Sequence, residues 1–172
     1  MVVYGLTPRA YRNVTLLTGS LVFYGFGEPR FLALLLISLM VNYLVGLHLS
    51  GGRRESRRRR NRRKILLIWA VIGNVGVLAF FKAAPEEIGL PLGISFYTFQ
   101  ILSYLIDVYR GDVGREESFL KLSAYITMFP QLISGPIVNY AEVREKLDDR
   151  RLTAAGIQDG LKVFTMGLAS KV

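Results

Sequence analysis

Pro91-Leu-Gly-Ile-Ser-Phe-Tyr-Thr-Phe-Gln100-Ile-Leu-Ser-Tyr-Leu-Ile-Asp107-Val-Tyr-Arg-Gly111 decides how this chain is read. After Gly93 no charge and no proline occurs until Asp107, so the stretch suits one membrane-length helix. Phe96, Gln100, Ser103 and Asp107 recur at the spacing of one helix face. The opposite side carries Tyr97, Ile101, Tyr104 and Val108. A carboxamide, a hydroxyl and a carboxylate in a span must point at protein or water, because unpaired polar groups in hydrocarbon cost several kcal/mol each. Two readings stay open. Taken singly, Gln100 and Ser103 hydrogen-bond neighbouring helices, and Asp107 pairs with Arg110 one turn on. Taken as a group, they line a tunnel, since an ionisable residue inside a span is a functional hypothesis by default.

The rest of the chain has the same character. Of its 172 residues, 51% are hydrophobic, and the mean hydropathy is +0.33. The apolar residues gather in uncharged runs at 13–27, 31–49, 65–81, 88–106 and 122–141. A helix needs about 20 apolar residues to cross a bilayer. The last four runs reach that scale, and the first needs Tyr11 and Arg12 to snorkel to the interface. Residues 1–9 lack the basic start, apolar centre and small-residue cleavage site of a signal peptide, so the first long helices are expected to act as uncleaved membrane signals. With no cysteine, disulfides, thiolate metal sites and cysteine nucleophiles are excluded.

The net charge of +9 is concentrated in one place. Arg53, Arg54, Arg57, Arg58, Arg59, Arg60, Arg62, Arg63 and Lys64, with Glu55 as the single acid, are expected in one loop at 51–64 that carries +8. Short basic loops of membrane proteins lie in the cytoplasm. Alternation then places Arg9, Arg12, Arg110 and Arg115 on the same side, with 27–30 and 82–87 outside. Arg57, Arg58, Arg59, Arg60, Arg62 and Arg63 are read as setting topology and meeting anionic lipid, at about 1 kcal/mol per basic residue near the surface. Nucleic-acid binding is the weaker reading, because no aromatics interleave to stack bases.

Three further segments carry expectations. Gly73-Asn-Val-Gly76 predicts close helix packing, with Asn74 facing another helix. Pro130, Gly135 and Pro136 interrupt 122–141, so that run is expected to break or re-enter and to line an interior space with Gln131, Ser134 and Pro136. Residues 140–153 are polar with mixed charge, as in a solvated amphipathic helix or loop, and 154–172 begin another helix.

Leu92-Gly-Ile-Ser-Phe-Tyr-Thr-Phe-Gln100, Ser103-Tyr104 and Asp107-Val-Tyr-Arg-Gly-Asp112 resemble a signature of the membrane-bound O-acyltransferases that acetylate bacterial exopolysaccharides such as alginate. Met128-Phe-Pro-Gln-Leu-Ile-Ser-Gly-Pro-Ile137 is similar to a second hallmark of that family. Asn13 with Leu21-Val-Phe-Tyr24, and Gly160-Leu-Lys-Val163 with Lys171-Val172, resemble flanking family helices. The resemblance implies an all-α, polytopic transmembrane bundle of about five to six membrane segments, one broken or re-entrant, with 1–172 forming part of that domain. It implies a multi-pass protein of the bacterial inner membrane. An acyl group, acetyl in the polysaccharide branch, would come from a cytoplasmic donor such as acetyl-CoA or another acyl thioester. The acceptor would be a hydroxyl of a polysaccharide or cell-envelope polymer, and a histidine would be the general base.

That histidine is expected beyond residue 172. The single His48 does not match it, and its place near the end of the second run suits an interfacial role. No catalytic residue is therefore assigned within 1–172, and no bound cofactor or metal is expected. Expected partners are membrane lipid, the remaining helices of the same fold and periplasmic acetyltransferases, with no nucleic acid. Isolated, such a chain is expected to be poorly stable and to oligomerise in detergent. Two other readings of the residues remain: a small non-catalytic transporter-like or scaffolding subunit, and a degenerate paralogue.

Overall fold

The computed structural model describes residues 7–8, 11–51, 56–85, 87–128, 138–148 and 154–170. Among the described residues the regular structure is entirely helical. In order these are α1 (Arg12–Gly27), a 3-10 turn (Pro29–Phe31), α2 (Leu32–Leu49), α3 (Arg57–Ala83), α4 (Ile94–Arg110), α5 (Phe119–Ile126), α6 (Tyr140–Asp148) and α7 (Ala154–Ala169).

The helix ends follow from identifiable residues. Pro29 opens the turn into α2, where a missing N–H costs nothing. Ser56 caps α3, its hydroxyl accepting from the Arg59 N–H at 3.4 Å. Gly93 precedes α4 at φ 69°, a left-handed conformation that favours glycine. Gly111, at φ 85°, ends α4. Its N–H donates to Val108 O at 3.2 Å while that of Asp112 donates to Asp107 O at 3.0 Å. These two bonds form a Schellman cap. The Asp107–Asp112 phrase is therefore, at backbone level, a helix stop.

α4 lies against α2 and α3, and α5 lies against α1 and α2. The core between them is made by Leu35, Leu39 and Leu49 of α2, by Tyr97, Ile101, Tyr104, Leu105 and Val108 of α4, and by Leu122, Tyr125 and Ile126 of α5. α2 and α3 are also joined by a reciprocal amide pair. Asn42 Nδ2 donates to Asn74 Oδ1 at 3.1 Å, and Asn74 Nδ2 donates to Asn42 Oδ1 at 2.8 Å. Asn74 thus faces another helix, as its place in an apolar run predicts.

Outside this core the helices are apolar and uncovered. Two stretches, Pro29–Leu49 and Arg57–Ala83, are long and apolar enough to cross a membrane. Only 6% of the apolar window of α3 is buried, and Ile65, Ile68, Trp69, Ile72, Val75 and Phe80 are exposed along it. A soluble core helix would be covered, and a water-soluble monomer rarely exposes so continuous an apolar face. Hydrocarbon is the solvent that suits it. The 27 residues of α3 extend about 40 Å at about 1.5 Å per residue.

The structure revises three boundaries and one packing expectation. The basic segment is not a loop throughout, because α3 begins at Arg57. Arginine and lysine are good helix formers, and the Ser56 cap starts the helix ahead of the apolar run. The fourth run becomes helical only at Ile94, since Pro91 and Gly93 hold 88–93 in turns. In the fifth run α5 stops at Ile126 after 8 residues. At about 12 Å it is too short to cross a bilayer. Gly73 and Gly76 do not mark a close approach among the described residues, as a Cβ on either would meet nothing within 4 Å. Asn74 turns the opposite side of α3 towards α2.

Candidate functional site

The polar stripe of α4 does not share one environment. Gln100 is 3% exposed, and its Nε2 donates to the backbone carbonyl of Tyr125 in α5 at 3.1 Å. Ser103 and Asp107 are half-buried and stand one turn apart, while Phe96 is exposed. The other side, with Tyr97, Ile101, Tyr104 and Val108, is almost fully buried and faces the core. Gln100 therefore ties α4 to α5 just before the Met128–Ile137 motif. The remaining tunnel candidates, Gln131, Ser134 and Pro136, lie outside the described residues.

The most ordered polar cluster was not legible as a site in the sequence. It centres on Glu116, which is 6% exposed in the connection between α4 and α5. Its Oε2 accepts from the Tyr140 hydroxyl at 2.5 Å, and its Oε1 accepts from the Ser118 N–H at 2.9 Å. The Glu116 N–H donates to the Tyr104 hydroxyl at 3.0 Å. The Tyr140 ring meets Tyr104 edge-on at 5.2 Å and Tyr125 at 5.0 Å. The Tyr125 hydroxyl donates to Val138 O at 2.6 Å. Glu116 and three tyrosines from α4, α5 and α6 thereby lock the chain on both sides of the second motif. Tyr104 reaches this position because Gly46 on α2 leaves room; a Cβ there would lie 3.0 Å from Tyr104 Cε1. Burial raises the Tyr140 phenol above its ordinary range, and donation to Glu116 raises it further. No local pattern announced it, because Glu116 adjoins a second acid, Glu117, and Tyr104, Tyr125 and Tyr140 lie far apart in the chain.

Four more buried hydroxyl oxygens, on Ser20, Tyr24, Tyr97 and Ser123, have no hydrogen-bond partner among the described residues. They belong to α1, α4 and α5. Buried polar groups are ordinarily paired, so these mark an interior with unspent hydrogen-bonding capacity.

At the basic end the six arginines separate into two kinds. Arg57, Arg58, Arg59, Arg60 and Arg62 are exposed, whereas Arg63 is 8% exposed. Its Nε donates to Leu49 O at 2.5 Å and its Nη2 to Tyr109 O at 2.9 Å. The guanidinium lies 5.1 Å from the Tyr109 ring centroid. Leu49 and Tyr109 sit at the C-terminal ends of α2 and α4, where carbonyls lack intrahelical partners. Arg63 is a clamp joining three helices, which corrects its reading as a lipid-facing residue. Arg63 is buried because helix formation from Arg57 turns it inward. His48 is exposed, with its Nδ1 hydrogen-bonded to Leu44 O of its own helix at 2.8 Å. Among the described residues no group of three or more His, Cys, Asp or Glu could hold a metal ion.

No family model matches the chain, and no solved structure matches it. Curated sequences do. The chain is 34% identical over 185 residues to a probable alginate O-acetylase of Azotobacter vinelandii, covering 98% of this chain and 37% of that protein. It is 33% identical over 189 residues to the probable alginate O-acetylase of Pseudomonas aeruginosa, covering 98% of this chain and 36% of that protein. A peptidoglycan O-acetyltransferase of Helicobacter pylori is 30% identical over 205 residues, covering 94% of this chain and 38% of its own length. The chain thus spans somewhat over a third of these relatives. With its uncovered apolar helices and the two motifs in order, the chain thus matches, along nearly all of its own length, somewhat over a third of proteins of the membrane-bound O-acyltransferase family.

Proposed function

We propose that this chain forms part of a membrane O-acetyltransferase that moves an acetyl group from a cytoplasmic thioester, such as acetyl-CoA, to a hydroxyl of an exopolysaccharide or other cell-envelope polymer. The observation that carries the reading is the similarity along 98% of the chain to proteins named as alginate O-acetylases. The named relatives acetylate two kinds of polymer, alginate and peptidoglycan, so the hydroxyl-bearing polymer is the common element and the individual polymer is not assigned. The protein sits in the inner membrane with its basic segment cytoplasmic, a placement supported by the positive-inside bias of short segments.

Within this reading the chain holds the path and leaves proton transfer to residues outside it. A general base must reach the acceptor hydroxyl within hydrogen-bonding distance. His48 is the single histidine and bonds its own helix at the basic end. Gln100, Ser103 and Asp107 on α4, with Gln131, Ser134 and Pro136 of the second motif, form one wall of the acyl tunnel. The unpaired hydroxyls of Ser20, Tyr24, Tyr97 and Ser123 add hydrogen-bonding capacity to the interior between α1, α4 and α5. Further helices of the same fold complete the wall, and periplasmic acetyltransferases receive the acetyl group.

The test is acetyl transfer from a labelled acetyl thioester in membranes. The 172-residue chain is compared with the reading frame followed to its stop codon. Activity confined to the longer product is expected. Activity in the 172-residue chain would refute the placement of the base, and inactivity of a stably expressed longer product on both polymers would refute O-acetyl transfer.

A further inference from the structure

The polar contacts around Glu116 run in a closed circuit through three helices. Gln100 and Tyr104 stand one turn apart on α4. The Tyr104 hydroxyl accepts from the Glu116 N–H at 3.0 Å, and Gln100 Nε2 donates to Tyr125 O of α5 at 3.1 Å. The Tyr125 ring meets Tyr140 edge-on at 5.0 Å. Tyr140, the first residue of α6, returns the circuit by donating to Glu116 Oε2 at 2.5 Å. The other carboxylate oxygen accepts at 2.9 Å from the N–H of Ser118, the cap of α5. Glu116 thus bonds α4, the cap of α5 and α6 at once.

The two anchors on α4 flank the polar stripe. Gln100 belongs to it, Tyr104 adjoins Ser103, and Asp107 follows Ser103 by one turn. Ser103 and Asp107 are half-buried, so a small rotation of α4 about its axis carries them into or out of the interior. The apolar contacts of Tyr97, Ile101, Leu105 and Val108 hold α4 to the core, but apolar burial is non-directional. Within a membrane, close packing and polar contacts fix how one helix is turned against another. Hydrogen bonds are directional and weaken steeply as they bend. A buried carboxylate is a costly way to stabilise a core, because apolar side chains of similar volume often do as well or better. What it adds is orientation.

We infer that Glu116 is a positioning residue. Through Tyr104, and through the chain of contacts Tyr140–Tyr125–Gln100, it fixes the rotation of α4 that presents Ser103 and Asp107. It acts through α4 and not on the reacting atoms. Its place in acetyl transfer rests on the reading of that stripe as tunnel wall; the anchoring of α4 does not.

The experiment uses the protein expressed from its full reading frame, in lipid nanodiscs. Residues 1–172 contain no cysteine, so Ser103→Cys supplies a reporter thiol once any cysteine beyond them is replaced by serine. Its alkylation by a water-soluble maleimide is followed in the parent, in Glu116→Ala and in Asn42→Leu. Asn42→Leu breaks a contact between α2 and α3 and leaves the α4 anchors intact, so it controls for a general loss of stability. Alkylation should quicken about tenfold in Glu116→Ala, the scale of losing hydrogen bonds to a charged group, and less than about twofold in Asn42→Leu. Glu116→Gln should lie between, since an amide keeps one acceptor oxygen and donates to the Tyr140 oxygen; it also serves where Glu116→Ala does not fold. With Ser103 intact, acetyl transfer per folded protein is measured below every melting temperature. It should fall about tenfold or more in Glu116→Ala, as for a misplaced positioning element. Glu116→Gln should recover part of it, and Asn42→Leu should keep the parental rate. Unchanged alkylation in Glu116→Ala, or equal quickening in Asn42→Leu, would overturn the anchor. Quickened alkylation with unchanged transfer would overturn the positioning role. An inactive parent would refute the acetyl-transfer reading, with alkylation still deciding whether Glu116 anchors α4.

Discussion

Removing one partner of the Asn42–Asn74 pair should cost more than its share of removing both. Each amide uses its two N–H donors. Asn42 donates to Ser38 O at 2.8 Å and to Asn74; Asn74 donates to Ala70 O at 2.8 Å and to Asn42. Asn42 is 4% exposed, and the surrounding helix faces are apolar, so water cannot replace a missing partner at little cost. Asn42→Leu leaves the Asn74 carbonyl and one N–H unpaired. A buried unsatisfied group costs about 1–3 kcal/mol. Asn74→Leu mirrors this. The double variant leaves no orphan, so its cost should fall below the sum of the singles. Interhelical hydrogen bonds in membranes couple by about 0.6 kcal/mol on average and up to about 1.7 kcal/mol. This pair makes two reciprocal bonds, so a coupling of about 1 kcal/mol is expected. The assay is a double-mutant cycle on reversible unfolding of the full protein in mixed detergent micelles. Additivity within about 0.3 kcal/mol, the behaviour of independent sites, would refute the pairing and with it the registration of α2 against α3.

Gly46→Ala should lower stability by about 1–3 kcal/mol, the range for overpacking, because the new methyl meets Tyr104 Cε1 at 3.0 Å and its hydroxyl at 3.2 Å; an unchanged melting temperature would show that Tyr104 has room to move. Arg63→Lys keeps the charge but cannot bond Leu49 O and Tyr109 O as a fork while stacking on the Tyr109 ring. A loss of about 1–3 kcal/mol is expected, against no measurable change for Arg57→Lys by the same thermal assay. The Tyr140 phenol is raised in the folded protein relative to about 10 unfolded, so the native state holds its proton more tightly. The stability this contributes is fully present below about pH 10 and is lost as pH rises towards the folded value. The melting temperature should therefore fall more steeply above pH 10 in the parent than in Tyr140→Phe, and equal slopes would count against a buried Tyr140.

Fold class was legible because a bilayer imposes a length rule that a sequence displays directly. Runs 13–27 and 31–49 became α1 and α2 with nearly unchanged bounds, since each is uncharged and bounded by turn residues. The fifth run leaves the helix at Ile126, ahead of the prolines from which a break was expected; Pro130 and Pro136 lie outside the described residues. Chain-local patterns misled where a cap or a turn overrode composition. Arginine density suggested a loop where Ser56 starts a helix, and the apolar character of Ile88 and Leu90 concealed the turn before Gly93.

By itself, then, the sequence determined that the chain is helical, apolar enough for a membrane, charged at one point, and built on two ordered family motifs. These are properties of composition and period, which need no knowledge of what lies across the fold. Only the tertiary structure decided that Arg63 closes the ends of α2 and α4, that Asn42 meets Asn74, and that Glu116 gathers Tyr104 and Tyr140. Each joins residues 12 to 46 positions apart. Such contacts depend on how helix faces are rotated against one another, and that rotation is set by packing many side chains at once.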